Sequence, residues 1–491
     1  MTNLIKNELY KVFKRKSIYI LLAIMLCIIT LNTFLTKKYS IEDPVSTLTE
    51  EKYELQELKR TIDSYDKNSP GEKEEYYNAL SNIELYELTD KYKEPWKKIL
   101  IRENLRNIIH SMNNAKYIEK NIEAYNEYKK EYDAFLKELD SNDWKYFVNK
   151  EIKASTDELA SLEKEREKAK NKELYNSRIK TENNKLEKLK LRLEKDIPYD
   201  NNYLNTALED YKQAPQTYKE FKESIIKNTS EFNIKEEYQI KRQYIEYMKN
   251  NANNKYIIDN KVDINSPKTT RNLLINTLSD NFLFIMIIVA AGAGSIVSTE
   301  FDKGTIKLLL IRPYSRNKIL LSKYIVSMFM IIFAILSAFI MQLIVGGIFF
   351  GFSSLNIPVV IYNFVQNKVI HINLFKYIFD NVLAVLPEFI LLATLAFAIS
   401  TITNVSTLGV ALPIVGVGAA DIINLIAINR NIIPLKYFVT LNWNFTNYLY
   451  GGVNSFPTLS IPFSILICAI YFLIMIITAF IVFNKRNIKN I

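Results

Sequence analysis

The residues of this sequence whose types could do chemistry together are concentrated in one polar segment, residues 298–323, between two long apolar runs. Its basic side chains are ammonium and guanidinium donors, which bind carboxylates. Because membrane loops rich in Lys and Arg remain on the cytoplasmic side, the segment is predicted to face the cytoplasm. The bases are Lys303, Lys307, Arg312, Arg316, Lys318 and Lys323, and the acids are Glu300 and Asp302.

A short helix is predicted inside this segment. Ile306, Leu309 and Leu310 fall on one helical face, and Lys303 and Lys307 share another. This arrangement is typical of a helix that lies in the membrane interface.

Both ends of that helix carry residues that change the direction of the chain. Gly304 allows a tight turn with positive φ and close backbone approach, because it has no Cβ. Pro313 ends the helix, since the residue before a proline, Arg312, is pushed out of the helical region. Ser315 is then placed to cap a new helix that continues into the next apolar run.

The spacing of these residues resembles the signature loop of type 2 ABC-transporter permeases. A basic loop that only sets topology needs positive charge, but it needs neither the Glu-Phe-x-x-Gly-Thr before the helix nor the Arg-Pro-x-Ser-Arg after it. The family interpretation is therefore favoured. The matching pattern is Glu300-Phe301-x-x-Gly304-Thr305-Ile306-Lys307-x-Leu309-x-x-Arg312-Pro313-x-Ser315-Arg316.

The resemblance implies that residues 299–322 contain a coupling helix, which seats in a groove of a separate cytoplasmic ATPase. It implies two permease chains, identical or paired with a sister chain, and two ATPases that bind ATP and Mg. Glu300 is expected to pair with a basic residue of the ATPase or of the N-terminal helix. The residues to which the resemblance gives an ATPase-coupling role are Glu300, Phe301, Gly304, Thr305, Arg312, Pro313, Ser315 and Arg316.

No catalytic site is predicted. The sequence has no Gly-x-x-x-x-Gly-Lys-Ser/Thr to cradle nucleotide phosphates, and it has no nucleophile motif or cluster of metal ligands. His110 and His371 are isolated, and Cys27 and Cys468 lie in apolar runs. The chain is therefore expected not to be an enzyme and to bind neither a cofactor nor a metal itself.

Among the acids of the apolar runs, Glu388 is the most central, and Pro387 before it bends the helix and frees a carbonyl. A charge at the bilayer centre costs roughly 3 kcal/mol or more, so Glu388 is expected to face the bundle interior. There it either lines a substrate path or forms hydrogen bonds between helices. Gly416, among small residues of another run, is assigned to the same alternatives of helix packing or substrate path.

Six membrane spans are predicted, because a span takes roughly 20 apolar residues. A basic amphipathic helix at residues 2–16 is expected to lie on the cytoplasmic surface. The net charge of +10 is attributed to cytoplasmic rims and not to nucleic-acid binding. Both termini are predicted to be cytoplasmic, in the cell membrane. The spans are about 18–35, 273–298, 324–350, 374–400, 405–428 and 461–483.

The polar insert at 41–270 is predicted to be almost wholly helical and extracellular. Ser155, with Glu158 three residues later, predicts a capping box at the start of a helix that runs to Lys195. At 1.5 Å per residue that helix would be roughly 60 Å long, with a weak coiled-coil pattern. The insert has no cysteine, so helix packing must stabilise it.

The sequence thus predicts an all-α membrane protein with six transmembrane helices and an extracellular helical hairpin or coiled-coil-like domain between helices 1 and 2. Its predicted domains are 1–36 (interfacial helix and first span), 37–270 (extracellular domain) and 271–491 (five further spans).

The expected function is that of an ABC exporter permease for a lipid, antimicrobial peptide, drug or ion. The alternative is a mechanotransducer that does not transport, whose extracellular domain acts on a peptide or a cell-envelope partner.

Overall fold

The structure is a computed structural model that describes residues 1–40, 44–65, 69–169, 172–226, 234–306, 314–430, 432–454, 456 and 459–486. Helices account for 81% of it, and among the described residues five helices are long and apolar enough to cross a membrane. These two observations confirm the all-α membrane class.

Two helices begin the chain, α1 (Thr2–Phe13) and α2 (Lys16–Tyr39). The first is the predicted amphipathic helix, and the second contains the first predicted span. The next described helices are α3 (Pro44–Thr61), α4 (Pro70–Asp90), α5 (Pro95–Asn113), α6 (Ile122–Ser141), α7 (Trp144–Lys168), α8 (Lys172–Glu194), α9 (Tyr203–Asp210), α10 (Tyr218–Ile226) and α11 (Ile234–Asn260).

The remaining part of the described chain contains long apolar helices, short helical segments and a β-hairpin. Its elements are α12 (Thr270–Ile275), α13 (Thr277–Asp280), α14 (Phe282–Gly294), α15 (Ser298–Asp302), α16 (Arg316–Phe350), β1 (Val359–Asn363), β2 (Lys368–Ile372), α17 (Leu374–Thr403), α18 (Ser406–Arg430) and α19 (Ile461–Lys485).

The described residues cluster in two compact units. The first consists of Met1–Ser40, Gln216–Ala252 and Ile264–Ile491, and the second of Ile41–Pro215 and Asn253–Asp263. The apolar core of the first unit contains residues from α1, α2, α14, α16, α17, α18 and α19.

The predicted span at 273–298 is not one continuous helix. The structure divides it into α12, α13 and α14, and α14 is apolar but only 13 residues long. Polar side chains interrupt the run: Asn281 Nδ2 donates to the Thr277 carbonyl over 3.1 Å, and such local bonds compete with a regular helix.

In the second unit, the single helix predicted from 155 to 195 is wrong. The chain leaves the helix after Lys168, and α7 and α8 pack against each other as a hairpin. Arg178 returns to Glu158, with a nitrogen–oxygen distance of 3.2 Å. Ser155 lies inside α7 and is not its N-cap, because α7 begins earlier, where the Asp143 side chain accepts from the Tyr146 N–H.

The β-hairpin was not predicted. Strands β1 and β2 pair antiparallel from Val359 opposite Ile372 to Asn363 opposite Lys368. Both strands are rich in β-branched residues, which was the available sequence signal. Tyr362 of β1 contacts Tyr244 of α11 edge to face, with 6.0 Å between ring centroids. The first unit therefore includes part of the polar insert, because α11 packs on this hairpin.

Candidate functional site

The buried face of α1 contributes an acidic residue to the candidate site. Leu4, Glu8 and Val12 recur every four residues and are buried, whereas most of the Lys side chains around them are exposed. Glu8 is thus an acid within an apolar stripe, with only 4% of its surface exposed. Such a carboxylate requires a charged or hydrogen-bonding partner.

Lys323 of α16 is that partner. Its ammonium lies 2.5 Å from Glu8 Oε2 and 3.3 Å from Glu300 Oε1, and it donates to the Ile296 carbonyl over 3.2 Å. Lys323 is 1% exposed and Glu300 is 7% exposed. One buried cation therefore connects α1, α15 and α16.

Lys11 completes the charge balance. Its ammonium lies 2.6 Å from Glu300 Oε1 and 3.1 Å from Glu8 Oε1, so that two ammonium groups face two carboxylates. Thr305 Oγ1 donates to Glu300 Oε2. Burial alone would raise the pKa of Glu300, but the charge of Lys323 and the hydrogen bonds from Lys11 and Thr305 lower that pKa to about 2.

A further basic residue ties α1 to the end of α14. The Arg15 guanidinium donates to Ser295 Oγ and, over 3.3 Å, to the Ser295 carbonyl. We call the set Glu8, Lys11, Arg15, Ser295, Glu300, Thr305 and Lys323 the charged junction. Among the residues that the structure describes, no group of three or more His, Cys, Asp or Glu is placed to hold a metal ion.

The polar segment 298–323, which carries the pattern resembling the permease loop, is called the signature segment below. It turns immediately beside the charged junction. Gly304 has φ +66°, as its predicted turn requires, and Ile306 is buried. Residues 307–313 lie outside the described residues. The predicted helix and the predicted Arg312-Pro313 corner fall within that range, so both stay predictions. The chain is described again before α16, where the Ser315 side chain accepts from the Lys318 N–H over 3.4 Å, as predicted for an N-cap.

Arg316 and Phe301 contact the C-terminal part of the chain. Arg316 Nη1 donates to the Asn484 and Arg486 carbonyls over 2.9 and 3.0 Å. Arg486 lies over the Phe301 ring, with its Cζ 5.4 Å from the ring centroid, and Nη2 donates to the Ile402 carbonyl over 2.7 Å. Arg316, to which the resemblance gives an ATPase-coupling role, thus binds carbonyl groups of its own chain.

The other side of the signature segment is tied to α17 and α18. Ser298 Oγ lies 2.8 Å from Ser406 Oγ, and Ser406 donates to Asp302 over 2.7 Å. The backbones also approach closely, since a Cβ added to Gly294 would collide with the Gly409 carbonyl. The Ser298 N–H also donates to Ser400 Oγ of α17 over 3.2 Å, so the segment contacts both helices.

The remaining sequence-predicted site residues lie elsewhere. Glu388, in α17, is 7% exposed and accepts from Asn444 Nδ2 over 3.0 Å. Gly416 is exposed in α18, and a Cβ added there would meet none of the described atoms within 4 Å. Close packing in α18 occurs at Gly409 instead.

Sequence reasoning missed three partners in the site. Glu8 could have been found, because it occupies an apolar-stripe position. Lys323 was interpreted as a topology-setting charge of the loop, although it lies inside α16, about two turns after that helix begins. Arg486 gave no local signal, because its partners are backbone groups distant in sequence.

The fold and this site define a multi-pass helical membrane protein with a buried ionic junction at the start of its long helices. The chain belongs to the family described as "Protein of unknown function (DUF2705)", which it matches over residues 239–489.

Two proteins of Bacillus subtilis strain 168 are similar to this chain. "Uncharacterized protein YhcI" is 32% identical over 238 residues, which cover 47% of this chain and 74% of the relative. "Uncharacterized membrane protein YdbK" is 29% identical over 206 residues, covering 42% and 77%. No solved structure matches the chain.

Proposed function

We propose that this chain is the permease subunit of an ABC exporter. The observation that carries the proposal is the charged junction, because it joins α1, the signature segment and α16 into one block. Two ammonium groups and two carboxylates interact over distances of 2.5–3.3 Å, and Lys323, Glu8 and Glu300 are buried. A force applied to the signature segment would be transmitted through these ion pairs to a 35-residue helix.

The ATPase is a separate cytoplasmic polypeptide that binds ATP and Mg, since this sequence lacks a P-loop. The proposed complex contains a second permease, either another copy or a sister chain. Its cargo is a lipid, an antimicrobial peptide, a drug or an ion.

Affinity purification of the full chain from its native membrane tests this function. We expect an ABC ATPase to co-purify in about equal amount, and we expect Glu300→Ala to reduce that amount because Lys11 and Lys323 lose a shared carboxylate. Lys368→Ala, an exposed change in β2, is the control and should keep the ATPase. Recovery of no ATP-hydrolysing partner with the wild-type chain would contradict the proposal.

The proposed topology has six spans, with α12–α14 together as the second, both termini in the cytoplasm and residues 41–270 outside. It follows from the basic residues that flank the spans. In a chain without Cys27 and Cys468, a cysteine at exposed Ser177 should react with an impermeant thiol reagent in intact cells. A cysteine at exposed Ser315 should not react. The reverse pattern would show that the orientation is wrong.

The mechanotransducer remains the second candidate because residues Ile41–Pro215 belong to a compact unit of their own. That unit has an apolar core that includes Leu100, Ile101 and Leu105. Such a domain could receive mechanical work or bind a peptide or a cell-envelope partner. Both candidates need the same ATPase, and they differ in whether a compound crosses the membrane.

A further inference from the structure

A second candidate site lies around Glu388, at the middle of the apolar helix α17. Pro387 lacks an N–H and leaves the helix locally open to other donors. Close by, the Phe445 N–H donates to the Ala384 carbonyl over 3.0 Å. Residues 444 and 445 therefore dock on the proline-containing turn that presents Glu388.

The amide of Asn444 has a fixed orientation. Its Oδ1 accepts from the Thr446 N–H over 3.0 Å and from the Thr446 hydroxyl over 2.5 Å. Its Nδ2 is thereby directed at Glu388 Oε2. The site thus holds the Glu388 carboxyl in place through one of its two oxygens.

Within the described part of the chain, neither the second oxygen of Glu388 nor its negative charge has a protein partner. Among the described residues, no group donates to Glu388 Oε1, and no Lys or Arg forms an ion pair with Glu388. Lys376 of the same helix pairs with Asp380 instead, at 2.8 Å. Asp421 of the neighbouring helix α18 adds a second negative charge to the field at Glu388. A buried carboxylate with a single neutral partner is costly, so the site favours a positive charge from outside.

Three aromatic residues of the apolar core are sequence neighbours of Glu388 or Asn444. Phe389 follows Glu388 in α17, and Trp443 and Phe445 flank Asn444; all three belong to the same apolar core. Faces of aromatic rings attract organic cations, most strongly that of Trp. A carboxylate buried in an apolar core that contains such rings suits a cation that also carries apolar groups.

We propose that Glu388, held by Asn444 within an apolar core that includes Phe389, Trp443 and Phe445, binds the cationic group of a membrane-soluble organic molecule. The cargo of the proposed exporter is then an amphipathic cation. The claim that the bound cation is exported rests on the proposed function. Binding itself requires no ATPase, so the binding proposal and the proposed function can fail independently.

The test uses the full chain in lipid nanodiscs with Trp96→Phe and Trp144→Phe, which leaves Trp443 as the fluorescent reporter, since the sequence has three Trp. The probes are tetraphenylphosphonium and tetraphenylborate, which have similar shape and opposite charge. We expect saturable quenching by the phosphonium and none by the borate. Glu388→Gln should weaken phosphonium binding about tenfold or more, while Glu388→Asp should retain it.

Asp380→Asn is the matched control, because Asp380 lies in the same helix but is already paired with Lys376. It should bind the phosphonium as the parent chain does. Equal binding of both probes, absence of saturable phosphonium binding, or unchanged binding by Glu388→Gln would each overturn the proposal. Should Glu388→Gln not fold, the comparison of the two probes on the parent chain still decides it.

Discussion

Replacing Lys323 with methionine is expected to destabilise the protein by about 3–5 kcal/mol, the cost of removing one partner from a buried ion pair. Methionine has a similar length, so packing is largely kept. Glu8 and Glu300, which lie 2.5 and 3.3 Å from the Lys323 ammonium, would then face each other with only Lys11 between them. Thermal or denaturant unfolding of the purified chain in detergent measures the loss.

Lys318→Met is the matched control, because Lys318 is in the same helix but exposed. It should change stability little. The double variant Lys323→Met with Glu8→Gln should recover part of the loss, since one unpaired carboxylate is removed with the cation. If Lys323→Met unfolds like Lys318→Met, the charged junction does not hold these helices together.

The pH dependence of this effect has a definite sign. In the wild type the pKa of Glu300 is lowered from 4.5 to about 2, so its contribution is present above pH 4.5 and is lost as pH falls toward 2. Without Lys323, burial should raise the pKa of this carboxyl, which can then be neutralised by a proton. The stability gap between Lys323→Met and the wild type should therefore narrow as pH is lowered from 7 to 5.

Gly304→Val is expected to have the largest effect on coupling to an ATPase. The φ of Gly304 is +66°, and a Cβ there would meet no described atom within 4 Å, so the penalty comes from the backbone and not from a clash. The left-handed conformation costs roughly 1–2 kcal/mol for a residue with a side chain, and β-branched residues tolerate it least. The turn would shift Thr305 away from Glu300 and change the direction of the segment that follows.

A series at this position separates strain from size. Val should impair ATPase co-purification and hydrolysis most, Ala less, and Asn least, because Asn adopts positive φ more readily. Gly351→Val is the control: Gly351 has φ +75° and equal space, but it lies at the far end of α16. If Gly351→Val and Gly304→Val lower coupling equally, the effect is one of general stability and the signature segment has no special role.

Hydropathy and local pattern predicted the features that depend on neighbouring residues. The amphipathic α1, the long apolar helices and the Ser315 cap are of this kind. The interruption between α12 and α14 was missed because polar residues such as Asn281 do not lower the mean hydropathy of the run enough to reveal a break. The hairpin of α7 and α8 was missed because contacts such as Arg178 with Glu158 join residues distant in sequence.

In the candidate site, too, the local features were predicted and the contacts between distant residues were not. The resemblance pointed to Glu300 and Gly304 from spacing alone. Their partners Lys323 and Glu8 come from elements that meet only in the folded chain, and the two alternatives for the partner of Glu300 could be separated only by the structure. The N-terminal helix is one partner, through Lys11.

The central claim, that the signature segment contacts an ATPase, is tested most directly by site-specific photocrosslinking in cells. A benzophenone side chain at Lys303, which is exposed beside the Gly304 turn, should form a crosslink to a protein that contains a P-loop ATPase domain. The same group at exposed Lys368 of β2 should not. A crosslinked ATPase at position 303 alone is the result we predict. No ATPase at position 303, or the same ATPase from both positions, would contradict the assignment of this chain as an ABC permease.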